Sequence, residues 1–287
     1  MPAFFVFVKP HGIRAHGIAS HASLSETLRS DSSSPKATKD TPLRIHPRTY
    51  PAFVGAGCYG GVGCPWLFAK EGKKNYHKDM THKALVDQLV ADGYLKTELV
   101  IEAFRAVDRA HFVEKEGEPY AYENHPLPIG YGQTISQPLT VAFMLELLQP
   151  QPGETILDIG CGSGWQTALL AYCVGAQGSV TGIERIPELK EFAERNIATC
   201  ESIPKEIIRL EVGDGTLGFP DSAPFDKIIA AAAAHAIPET WKAQLKVGGR
   251  IVAPVEQSVF LLEKKSQDEF EEKRFFGFSF VPLVSGE

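Results

Sequence analysis

Between residues 155 and 255 short apolar runs alternate with stretches of helical periodicity, and this alternation restricts the fold more than any other feature of the chain. Residues 155–159, 179–184, 207–212, 226–231 and 249–255 read as strands, with further strand-like runs after Val259. Residues 165–174 and 238–245 read as helices, and Pro187 opens another at the first helical position, where a missing N–H costs nothing. The order predicts an α/β fold: a doubly wound, mostly parallel sheet with helices on both faces. Such sheets bind ligands beyond the carboxyl ends of their strands, so those ends are where chemistry is expected.

Three strand ends carry informative residues. The first runs into Asp158-Ile-Gly160-Cys-Gly162-Ser-Gly164. Alternating glycines allow a sharp turn and close backbone approach to a ligand, and the helix that follows offers its positive end. The spacing is GxGxG, not the GxGxxG of dinucleotide binders. Glu184 ends the next strand, where a carboxylate can accept hydrogen bonds from both hydroxyls of a ribose. Asp214-Gly215 follows the third. Read singly, these are also a tight turn, a solvated acid and an Asp-Gly turn. Their succession in this order is more specific than any one of them.

Upstream lies a second polar loop, Gly130-Tyr-Gly-Gln-Thr-Ile-Ser136-Gln-Pro138. Downstream are Phe225-Asp-Lys-Ile-Ile-Ala230, Ile237-Pro238 and Leu245-Lys-Val-Gly-Gly-Arg250. With these pieces, residues 80–287 resemble the protein-L-isoaspartate O-methyltransferase family, which has the class I methyltransferase fold. The resemblance implies S-adenosylmethionine as methyl donor, no metal, and isoaspartyl-containing proteins and peptides as substrates. It implies a cofactor site of Thr134, Ile135, Ser136, Asp158, Gly160, Gly162, Gly164, Glu184, Asp214 and Gly215, with Asp214 meeting the adenine amine. Ser136 is then the active-site serine, which orients the substrate carboxylate; it could also cap the helix opened by Pro138. Val141 and Val284 stand where some family members carry histidine and threonine, and both positions bear on secondary cofactor contacts. An RNA or small-molecule methyltransferase would share 160–164 and Glu184 without needing 133–138. A non-catalytic adaptor on the same fold would be expected to lose glycines or Ser136.

Charge divides the chain. Residues 1–79 hold 11 Lys and Arg against 5 Asp and Glu, and the remainder 18 against 30. An acidic body argues against a nucleic-acid partner, which needs a basic face. No apolar run reaches bilayer length, and 4–8 is too short for a signal peptide, so a cytoplasmic protein without membrane contact is expected; a monomer is expected as well. Five scattered cysteines read as reduced thiols. His125 and His235 read as surface or loop residues, Cys161 as filler and Trp165 as packing.

Residues 80–287 read as the methyltransferase domain, with 80–150 a helical cap and substrate loop and 151–287 the cofactor-binding sheet. Residues 1–79 lack sustained periodicity and read either as a disordered extension or as sequence upstream of a start at Met80. Within them Gly55-Ala-Gly57-Cys-Tyr-Gly60 spells GxGxxG, but no helix follows it. Cys58 and Cys64 have no matching pair for zinc, and His11, His16 and His21 fit no single face.

Overall fold

The computed structural model describes residues 80–286. The readings for residues 1–79, including the GxGxxG segment, the two cysteines, the three histidines and the apolar run 4–8, lie outside the described residues.

Helix α1 (His82–Ala91) starts at Thr81, whose hydroxyl accepts the Ala84 N–H at 3.2 Å, and it buries Leu85, Val86 and Leu89. Helix α2 (Glu98–Ala106) follows Thr97, which stands at the cap position without making a side-chain cap. Its hydroxyl donates instead to Glu146, whose other oxygen accepts the N–H groups of Lys96 and Thr97, all at 2.8 Å. A short hairpin then pairs β1 (Leu127–Pro128) with β2 (Thr134–Ile135), and helix α3 (Pro138–Leu148) leads away from it.

Next come β3 (Thr155–Ile159), α4 (Trp165–Val174), β4 (Ser179–Glu184), α5 (Pro187–Thr199), β5 (Ile208–Val212), β6 (Phe225–Ala230) and α6 (Glu239–Gln244). The chain continues through β7 (Leu245–Val255), β8 (Ser258–Lys264) and β9 (Phe270–Phe276). The sheet order is β5-β4-β3-β6-β7-β8-β9. Strands β5 to β7 run parallel, while β8 and β9 pair antiparallel. This is the mostly parallel α/β architecture the sequence predicts.

Alternation along the strands loads both faces. Ile156, Ile229 and Val252 join the core beneath α3 and α4, whereas Leu157, Ile228 and Ile251 join a second core with Trp241 of α6. Strand β7 begins four residues before the pattern suggests. Its first pair, Phe225 with Leu245, is separated by a register shift from the next, Lys227 with Arg250, and Gly248 (φ +83°) absorbs the extra residues. Among the described residues no helix is long and apolar enough to cross a membrane.

The chain leaves β3 for β4 and β5 on one side and returns to β6 on the other. The strand order therefore reverses at β3, and the crevice at its carboxyl end is where the glycine loop emerges.

Candidate active site

Residues 160–164 turn the chain from β3 into α4. Gly160, Gly162 and Gly164 have φ of +75°, +54° and +86°, a region that side chains enter at a cost. The turn is also crowded. A Cβ on Gly164 would lie 3.1 Å from Ala193 and Ile197 side chains, and one on Gly162 would lie 3.2 Å from Ile129. The N–H groups of Gly160 and Cys161 both reach the Ile183 carbonyl, and Asn196 of α5 donates to the Ser163 carbonyl at 2.9 Å. Loop, β4 and α5 are thus one unit.

Asp158 lies beneath this loop, fully buried. Its carboxylate accepts from Gln166 Nε2 at 2.7 Å and from the Thr167 hydroxyl at 2.6 Å, tying β3 to the first turn of α4. Burial raises its pKa to about 6 against these two hydrogen bonds, with the Glu184 charge adding to the rise. Glu184, at the end of β4, is also buried; one oxygen accepts the Gly162 N–H at 2.9 Å and the other the Ile186 N–H at 3.0 Å. Each oxygen keeps a lone pair for a further donor.

Asp214 follows β5. One oxygen takes the Thr216 N–H and hydroxyl, the other the Gly286 N–H at 2.8 Å. Burial opposes the charge, but these hydrogen bonds and Arg185 outweigh it and hold the pKa below the usual carboxylate value. Gly215 has no room for a side chain, since a Cβ would come within 2.5 Å of Ile159 Cγ2. Its carbonyl accepts from Trp241 Nε1 at 2.8 Å.

The second loop meets the first across a narrow cleft lined by Thr134, Ile135, Ser136, Val141, Gly160, Cys161, Gly162, Ser163, Trp165, Gln166 and Ala231. Of the ten predicted site residues, Thr134, Ile135, Ser136, Gly160 and Gly162 come together here. Glu184 joins through the Gly162 N–H and Asp158 through Gln166. Asp214 and Gly215 stand beyond, past the end of β5. Ser136 is half-buried and is not the helix cap: Gln137 occupies that position, and Asn124 Oδ1 accepts the Leu139 N–H at 3.0 Å. The Ser136 carbonyl accepts from Arg109 Nη2 at 3.1 Å. Arg109, Asn124, Gln166 and Thr167 carry no motif and were not among the predicted residues.

The remaining readings have plain places. His235 is exposed, and His125 pairs with Glu123 at 2.7 Å on a half-exposed turn. Cys161 is buried and its pKa is driven well up, first by burial and then by the charges of Asp158 and Glu184, so it is a protonated thiol. Trp165 packs edge-on to Phe104. Among the described residues no three His, Cys, Asp or Glu side chains group to hold a metal. A larger cavity of about 330 Å³ sits elsewhere, lined by Gln149, Gln151, Lys227 and Arg250 among others. Its Arg250 is engaged by the Leu147 carbonyl, Gln149 and Glu263, and none of the strand-end residues reaches it.

The donor set fits a nucleoside that carries a positive charge. Carboxylates end two adjacent strands, acceptors for a diol and an amine, and the loop after the neighbouring strand β3 has no side chain at three of its five positions. No acceptor in the cleft needs to be protonated to receive such a ligand.

The family model described as Protein-L-isoaspartate(D-aspartate) O-methyltransferase matches residues 80–287. The protein-L-isoaspartate O-methyltransferase of Methanopyrus kandleri is 42% identical over 207 residues, 71% of this chain and 91% of that protein. That of Aeropyrum pernix is 44% identical over 204 residues, 70% of this chain and 78% of that protein. Among solved structures, a Plasmodium falciparum protein-L-isoaspartate O-methyltransferase in complex with S-adenosyl-L-homocysteine is similar with a TM-score of 0.63. It is 25% identical, and the match covers 71% of this chain and 99% of that one.

Proposed function

This chain belongs to the protein-L-isoaspartate(D-aspartate) O-methyltransferase family, and we propose that it methylates the free α-carboxylate of L-isoaspartyl residues in damaged proteins and peptides. The observation that carries the reading is the meeting of Thr134, Ile135 and Ser136 with the glycine loop in one cleft. A general methyltransferase needs only the second of these.

Bound at the strand ends, S-adenosylmethionine supplies a methyl group already activated by its sulfonium. Gly160, Gly162 and Gly164 would let it lie against the backbone, Glu184 would accept from the ribose hydroxyls and Asp214 from the adenine amine. Asp158 holds α4 to β3 through Gln166 and Thr167, so its part is to position the loop rather than to touch the ligand.

The acceptor carboxylate has a pKa near 3.5 and is ionised at neutral pH. No proton has to be removed, which suits a cleft whose one thiol is held protonated and whose lining residues include no histidine. Alignment and exclusion of water remain as the protein's tasks, and good geometry contributes up to roughly 7 kcal/mol. Ser136 would donate a hydrogen bond to the carboxylate and would not form a covalent bond. The neighbouring backbone nitrogen then attacks the ester carbonyl, the C–OCH3 bond breaks and methanol leaves with the nitrogen's proton, closing a succinimide whose hydrolysis returns some normal aspartate.

Residues 80–287 carry this activity under the proposal and 1–79 are not needed for it. The acidic balance of the body supports the absence of a nucleic-acid partner, and the proposal takes the protein as a cytoplasmic monomer without membrane contact. The deciding experiment is methyl transfer from labelled S-adenosylmethionine to paired peptides that differ only in aspartyl or isoaspartyl linkage. Label in the isoaspartyl peptide alone is expected; equal labelling, or labelling of RNA instead, would overturn the proposal.

A further inference from the structure

We infer that Arg109 is a positioning residue that sets the separation of the Ser136 loop from the glycine loop, and so the alignment of methyl acceptor with methyl donor. The inference rests on the roles proposed above for those two loops.

Arg109 opens a short helical turn, Arg109–Phe112, and is completely buried. It forms no ion pair among the described residues. Its fork goes to three main-chain carbonyls instead: Nη1 donates to Ala121 at 2.6 Å, and Nη2 to His125 and Ser136, both at 3.1 Å. These carbonyls belong to a segment whose regular structure is limited to two strands of two residues each. Backbone groups of such a segment have few partners of their own and must find them elsewhere. The other side of the guanidinium lies over the Trp165 indole, 5.3 Å from the ring centroid. Trp165 is the first residue of α4, next to Gly164. One side chain therefore meets the Ser136 loop and the first residue after the glycine loop, both of which line the cleft.

Packing alone does not account for this choice. A buried charge is costly, and an apolar residue of similar volume fills space at less expense. Burial lowers the Arg109 pKa to about 9, which still leaves it charged at neutral pH and able to donate from every N–H. A lysine ammonium is a point donor and cannot span three separated acceptors while stacking on a ring. The planar fork is what the arrangement uses.

The test compares the full-length protein with Arg109→Lys and Arg109→Met. Three quantities are measured: S-adenosylmethionine affinity by calorimetry, steady-state transfer to an isoaspartyl peptide, and hydrogen exchange of amides 121–136. A small displacement of the loop is expected to lower kcat about 100-fold in both variants while cofactor affinity stays within about threefold. Exchange should quicken over 121–136 and stay unchanged in β3 and β4. An unaltered kcat per folded molecule, whatever the melting temperature, would overturn the inference, as would unaltered exchange. If Arg109→Met does not fold, Arg109→Lys carries the same comparison. Should the unmodified protein fail to methylate the peptide, the proposed function falls, while the exchange data still decide whether Arg109 holds the loop.

Discussion

Left-handed turns dominate the shape of the glycine loop, which Glu184 and Asn196 also tie to β4 and α5, whereas the loop that carries Ser136 is held by side chains that reach it from upstream. The first takes its shape from three left-handed glycines, from Asp158 immediately before it and from α4 immediately after. The second hangs from Arg109, 27 residues upstream of Ser136, and its helix is capped by Asn124, 15 residues before Leu139. Backbone turns thus prevail in the cradle proposed for one reactant, and side-chain hydrogen bonds to main-chain carbonyls and N–H groups prevail in the platform proposed for the other.

Substitution should separate the two modes of support. The largest effect belongs to the cradle. Gly164→Val would put a β-branched residue at φ +86° with its Cβ 3.1 Å from Ala193 and Ile197. Left-handed strain and overpacking together should cost about 3–5 kcal/mol. Thermal melting is expected to show the loss, and a variant that melts like the parent would mean the turn is looser than described.

Next is the acid under the cradle. Its pKa of about 6 exceeds the ordinary 3.8 because it is buried. The folded chain therefore keeps a proton that the unfolded chain has released between about pH 4 and 6, and this contribution to stability falls as pH rises through that window. Asp158→Asn removes the titration. The stability of the parent relative to the variant should decline by on the order of 3 kcal/mol from about pH 4 to about pH 7. Urea unfolding at a series of pH values measures it, and a constant difference would show that the carboxyl does not titrate there.

On the platform, Ser136→Ala removes the hydrogen bond proposed to orient the charged carboxylate, an expected loss of about 1.5–3 kcal/mol in kcat/KM. Cofactor affinity should change less. Full activity in the alanine variant, or a methylated Ser136 trapped by mass spectrometry during turnover, would end the orienting role. The smallest effect is expected from Asn124→Ala, which leaves the Leu139 N–H without its acceptor at a cost of about 1 kcal/mol. Hydrogen exchange at the start of α3 should quicken; exchange as slow as in the parent would assign the cap to another group.

The same contrast decides what can be read from the residues in order. Strand β3, its glycines and α4 were legible because periodicity and left-handed turns act over a few neighbouring positions. The bounds 155–159, 165–174 and 179–184 coincide with the elements observed. Asp158 was legible as a strand-end acid but not as a buried one, because Gln166 and Thr167 reach back to it from one turn into the next helix. Arg109 gave no signal at all. Its acceptors are carbonyls, which every residue has, and only the fold brings Ala121, His125 and Ser136 to one point. Thr97 shows the same effect: it stands at the cap position of α2, yet its hydroxyl serves Glu146, 49 residues on, rather than its own helix.

The place of β3 at the reversal of strand order also has a kinetic consequence. On one side it pairs with β4, the very next strand. On the other it pairs with β6, and the Thr155 N–H meets the Asp226 carboxylate 71 residues later. Closing a loop of that length loses chain entropy before any contact repays it, so such pairings slow folding. A nascent or refolding chain can form β3, the glycine turn, α4 and β4 as one local unit with one flank of β3 still bare. That flank is a row of unpaired backbone groups able to bind another chain's strand. Refolding yield should therefore fall with protein concentration, and the aggregates should be seeded by the strand on which the binding crevice is built.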